Sequence, residues 1–198
     1  SASGGRGRPA RTGRRDRGGR DWGAGVRLEA HGVAVALPRG WSGRIFRRPG
    51  GNATLHAASF PLALHDGEFG DASTARLAPG ASFLALAEYV PGAGLQASRG
   101  LFAPARIELP LDPTRFSIRG LAHPRAGQLG HQQFFTAAGR PFCVYVVVAG
   151  DGSHRRRQLP LLDGILRTLR ISGYLPGRTG GTGGTGATGG TGATGRPR

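Results

Sequence analysis

Residues Phe142 to Ala149 read FCVYVVVA, an unbroken apolar run. Side chains on a strand alternate between the two sides of its sheet, so such a run is stable only where both sides are covered. The pattern predicts a central strand. Phe142, Val144, Val146 and Val148 face one way, and Cys143, Tyr145 and Val147 face the other. Gln128 to Thr136 precedes it, joined through Ala137-Ala138-Gly139, and the pair reads as a hairpin, Gln128–Thr136 with Arg140–Ala149.

The cover for that strand must come from elsewhere in the chain. Leu159, Leu162, Ile165, Leu166 and Leu169 fall on one face of a helix, with Pro160 in its first turn, where proline is tolerated. Arg167 and Arg170 lie near its C-terminal end, where cations suit the helix dipole. Gly164 weakens the helix by about 1 kcal/mol relative to Ala and permits close approach to a sheet. An antiparallel β-sheet with helices packed on it, ending in a C-terminal closing helix, is the simplest way to bury both patterns. The fold class expected is α+β.

Earlier segments extend the sheet. Val33, Val35 and Leu37 alternate up to Pro38, Arg44 to Arg47 alternates around Ile45, and Ala53 to Phe60 follows the turn Pro49-Gly50-Gly51-Asn52. These three are expected to form a meander. A short helix is predicted from Asp71 to Leu77 with Asp71 as N-cap, and a strand from Ser82 to Val90. Residues 91–104 read as a mobile loop. Arg106 to Leu109 and Phe116 to Arg119 are short strand candidates separated by Pro110 and Pro113.

The ends differ from the middle. Residues 1–25 are rich in Arg, Gly and Ser with Trp22 as the only large apolar residue, too little to offset the entropy of ordering. Their Arg-Gly spacing fits either a loose nucleic-acid-binding tail or a plain solvated one. In 179–195 glycine falls at every third position without proline, which reads as a flexible repeat tail and not as a collagen segment. The expected organisation is a disordered Arg/Gly-rich arm at 1–25, one globular domain at 26–175, and a disordered Gly/Thr-rich tail at 176–198. Seven arginines and two aspartates fall in 1–25 and three arginines in 178–198, so half of the net charge of +16 lies outside the domain.

Composition narrows the rest. Every basic residue is Arg, Gly, Ala and Pro are abundant, and Met is absent. All four abundant types are encoded by GC-rich codons, so an actinobacterial source is the expectation, and coding DNA of low GC content would overturn it. Ser1 is not read as a translation start. Cys143 alone can form no intramolecular disulfide and reads as a small buried hydrophobe. No apolar stretch approaches the ~20 residues needed to span a bilayer, and a cytoplasmic location is expected.

Three motifs together carry a resemblance. Val35-Ala36-Leu37-Pro38-Arg39-Gly40-Trp41 ends an early strand. Phe134 to Phe142 carries Gly139-Arg140 at its turn, and Leu162 to Ile171 runs LDGILRTLRI. In these the chain resembles the PsbP-like superfamily, which includes the Ran-binding Mog protein. The resemblance covers most of residues 30–172. It implies an α/β/α sandwich around an antiparallel sheet, and a binding or assembly role without a transferable partner.

Candidate chemistry is sparse. There is no phosphate-binding glycine loop and no nucleophile elbow, and Gly150 to Ser153 reads as a turn. The six histidines show no metal-ligand spacing, and the acidic stretch His65 to Asp71 lacks the alternation of a calcium loop. His131 shares a strand face with Gln133, without a carboxylate partner in sequence. No catalytic residue, cofactor or metal site is expected. Arg155-Arg156-Arg157, just before the closing helix, is the strongest charge run in the domain and reads as an anion or nucleic-acid contact or as a solvated loop. The expectation is a non-catalytic binding or assembly protein with a protein partner. The alternative is a nucleic-acid-associated protein acting through the arm and Arg155–Arg157.

Overall fold

A computed structural model describes residues 25–48, 52–92 and 95–173. The tail expected at 176–198, all but Gly25 of the arm expected at 1–25, and the turn at Pro49 to Gly51 lie outside the described residues. In order, the chain forms β1 (Val26–Ala30), β2 (Val33–Leu37), β3 (Ser42–Arg47), β4 (Ala53–Ala58), α1 (Asp71–Thr74), β5 (Ser82–Glu88), β6 (Gln128–Ala137), β7 (Arg140–Ala149), α2 (Gly152–Thr168) and β8 (Arg170–Ile171). The fold is α+β. The described residues form two antiparallel sheets, one of five strands in the order β3-β4-β5-β7-β6 and one of three in the order β1-β2-β8.

The apolar run lies in β7, between β5 and β6, and all ten residues of β7 are buried. One sheet face presents Leu55, Leu86, Val144 and Val146 to Leu159, Leu162 and Ile165 of α2 and to Val33, Val35 and Leu37 of β2. The other presents Phe83, Ala85, Tyr145 and Val147 to Phe60, Leu62, Phe69, Leu77 and Leu121. Burying one such leucine contributes about 1.5–3 kcal/mol, and this two-sided burial makes the sheet the centre of the molecule. Gly70 shows how tight the second side is. Its φ is +69°, and a Cβ there would meet the Phe83 ring at 2.0 Å.

The expected early meander is not formed. β3 and β4 pair in the large sheet, but β2 pairs with β1 and β8 in the small one. Gly40, at φ +83°, lies in the turn after Pro38, and the apolar side of β2 packs onto the large sheet. β1 has a weak apolar pattern. Its pairing is set by the turn at His31 and Gly32, both at positive φ as a two-residue hairpin requires.

Arg140 joins the two sheets. Its Nε and Nη2 donate to the two carboxylate oxygens of Glu88 at 2.7 Å each. Its remaining N–H groups donate to the carbonyls of Ser172 at 2.8 Å and His31 at 3.1 Å. Glu88 also accepts from the Ala53 N–H at 3.2 Å. The pair is almost fully buried, and the guanidinium lies over the Phe142 ring.

Several local expectations are corrected. Asp71 is the first residue of α1 and not its cap. Asp66 instead accepts the N–H groups of Ala72 and Ser73, each at 2.9 Å. Arg106 to Leu109 is not a strand, and Phe116 to Arg119 contributes one bridge, Ser117 to Gly130, and a 3-10 turn at Ile118–Gly120. The segment before Pro110 is held by a side chain, since Gln133 Oε1 accepts from the Glu108 N–H at 2.8 Å. The loop expected to be mobile is pinned where described. Phe102 is buried against Tyr89 and Phe134, and the Thr136 hydroxyl donates to the Phe102 carbonyl at 2.7 Å.

Helix α2 begins seven residues earlier than the leucine spacing indicates. Pro160 therefore lies inside it, and Arg155–Arg157 are helical and not in a preceding loop. β8 follows α2 and returns the chain to β2. Among the described residues no helix is long and apolar enough to cross a membrane.

Candidate functional site

Asp151 sets the early start of α2, a role that the turn reading of Gly150 to Ser153 missed. Its side chain accepts from the N–H groups of Ser153 at 2.8 Å and His154 at 3.0 Å. Hydrogen bonds from the Ser153 hydroxyl, the His154 backbone and the His154 ring hold this carboxyl well below the usual range. The cap commits the arginine run to helical spacing.

Gly152, Arg155, Arg156, Leu159, Pro160 and Asp163 then fall at i, i+3, i+4, i+7, i+8 and i+11, one stripe of the helix. This stripe forms one wall of a groove of about 500 Å³, and Leu111, Pro113 and Thr114 form the other. Asp163 holds the walls together by accepting the Leu111 N–H at 2.8 Å. Asp112 shapes the second wall by accepting the Thr114 N–H at 2.8 Å and its hydroxyl at 2.7 Å. Pro160 offers no N–H to the carbonyl four residues back, that of Arg156.

The charged end of the groove is well defined. One guanidinium nitrogen of Arg155 and one of Arg156 each lie 3.7 Å from where a Cβ on Gly152 would sit. Among the described residues neither side chain has a hydrogen-bond or ion-pair partner. Arg157 does not line the groove, because about 100° of rotation per residue carries it to another side of the helix. The structure thus brings together two of the three arginines singled out by sequence and separates the third.

Smaller clefts lie elsewhere among the described residues. One of about 260 Å³ lies between Ile107, Leu109 and Phe135 and the end of α2 at Leu166 and Leu169. One of about 200 Å³ lies at the outer edge of β6 beside Gln132, Gln133 and Phe134.

The other polar candidates are accounted for differently. His131 is buried against the Phe116 ring at 5.3 Å, and its Nε2 has no hydrogen-bond partner among the described residues. Burial, then Arg115, lowers its pKa. His56, passed over in the sequence, is fully buried between Phe46 and Phe83 with Nε2 3.0 Å from the Glu68 carbonyl. Burial lowers its pKa as well. Cys143 is fully buried, and burial pushes its thiol up to about 12. In the acidic stretch, Asp66 caps α1, Glu68 pairs with Arg48 at 2.7 Å, and Asp71 pairs with Arg125 at 2.9 Å. Among the described residues no three His, Cys, Asp or Glu side chains are placed to hold a metal ion.

No family model, curated protein or solved structure matches the chain.

Proposed function

We propose that this chain is a binding protein and not an enzyme, and that it recognises an anion in the groove between α2 and residues 111–114. One observation carries the reading. Two guanidinium groups without partners among the described residues converge at one end of a groove whose walls are otherwise largely apolar. Side by side in the first turns of a helix they repel one another and oppose the helix dipole, and a bound anion relieves both. The volume falls within the ~300–1,000 Å³ typical of small-ligand sites. The test is titration of the full chain with anilinonaphthalene sulfonate, an anionic apolar dye. Binding should be lost in Arg155→Ala/Arg156→Ala, and unchanged binding would overturn the reading.

The competing reading is a nucleic-acid-associated protein acting through the arginine arm and Arg155–Arg157. The net charge of +16 favours it. Duplex binding that falls steeply with salt and is lost with Arg157→Ala would establish it in place of the first.

The PsbP-like sandwich, with α2 as the closing helix, belongs to the same proposal. The resembling motifs support it by position: Leu37-Pro38-Arg39-Gly40-Trp41 ends β2, Gly139-Arg140 turns β6 into β7, and Leu162 to Ile171 runs from α2 into β8. A single domain at 26–175, a cytoplasmic location and a protein partner complete it. A pull-down comparing residues 26–175 with the full chain tests whether the partner needs the ends.

A further inference from the structure

We propose that the groove takes a free single-chain fatty carboxylate, its head between Arg155 and Arg156 and its chain over Leu159, Leu111, Pro113 and Pro160. This rests on reading the groove as the binding site, and it names the ligand.

The head group follows from donor geometry. The N–H groups of Ser153 and His154 are already taken by Asp151, so these donors of the helix end are engaged. The spare donors are the two guanidinium forks, whose geometry matches a carboxylate. A Cβ on Gly152 would lie in ordinary contact, 3.7 Å, with a nitrogen of each fork, so both forks reach the same spot beside the helix.

The single chain follows from the charge layout along the groove. Asp163 lies eight residues beyond Arg155, about 12 Å along the helix axis. The charge therefore changes sign from one end to the other, with apolar side chains between. A polynucleotide would bring its next phosphates toward Asp163 and be repelled. A ligand with one anionic end and an apolar body brings no second anion toward Asp163, whose Oδ1 already accepts the Leu111 N–H. The groove is also bounded by a second wall, fixed to α2 by the Asp163 to Leu111 hydrogen bond, and this suits one chain better than a bilayer surface.

Calorimetric titration of the full chain with dodecanoate below micelle formation tests the proposal. One site is expected, weakened at least tenfold in Arg155→Ala/Arg156→Ala at unchanged melting temperature. Thr114→Glu, which places a carboxylate on the exposed second wall, should weaken it too. Acetate and dodecyltrimethylammonium should not compete. Equal binding of acetate, equal binding of the cationic amphiphile, or binding seen only with phosphatidylglycerol vesicles would each overturn the fatty-carboxylate assignment. If the sulfonate dye depends on Arg155 and Arg156 but dodecanoate does not bind, the groove stands and its ligand is wrong. If neither depends on them, both readings fall.

Discussion

Arg140 and the pair Arg155–Arg156 are the same side chain in opposite circumstances. Arg140 is 3 % exposed, and its fork is occupied by Glu88 and by backbone carbonyls from the small sheet. Arg155 and Arg156 lie on a helix wall with no partner among the described residues. A buried guanidinium must be satisfied within the fold, because an unpaired charge there costs several kcal/mol. A solvated one need not be, and its spare donors are what a ligand can use. What separates the two here is hydrogen-bond saturation, not residue type.

The sharpest way to break the comparison is to truncate each member. Arg140→Met removes the guanidinium from the buried Glu88 carboxylate and should cost about 3–5 kcal/mol in urea unfolding, with faster hydrogen exchange in β2 as the small sheet loosens. A loss below 1 kcal/mol would show that Arg140 is not the joint between the sheets. Leu162→Ala, which removes a fully buried side chain of α2, should cost about 2–5 kcal/mol. A smaller loss would mean that the helix is not what holds this face of the sheet.

Acid sensitivity should come from the buried side of the comparison. His56 and His131 both have depressed folded pKa values, so the unfolded chain takes up the proton first as pH falls below 6.5. Stability is full above that pH and is lost as pH falls through the depressed folded values. His56→Gln should flatten the slope between pH 6.5 and pH 5, and an unaltered slope would remove His56 as a cause. The smallest effect should be that of Arg155→Ala/Arg156→Ala, within about 0.5 kcal/mol of the parent in stability, while ligand binding falls. A large stability loss would make these arginines structural and dissolve the contrast.

The sequence by itself determined the centre of the molecule. The apolar run of β7, its hairpin with β6, strand β5 and the leucine face of α2 were all readable, because periodicity reports how a segment is buried whatever buries it. It also singled out the run Arg155–Arg157 by charge alone. Partners across sequence distance were decided only by tertiary structure. Glu88 and Arg140 lie 52 residues apart, and nothing in either local stretch shows that the other closes its hydrogen bonds. Whether β2 joined the large sheet or packed upon it was decided by its pairing with β1 and β8. The cap at Asp151 moved the helix start, and this turned a run of three charges into a groove wall bearing two of them. Local pattern fixes which face of a segment is apolar. Which element meets that face, and whether a charge is left with donors to spare, depends on contacts that no local pattern contains.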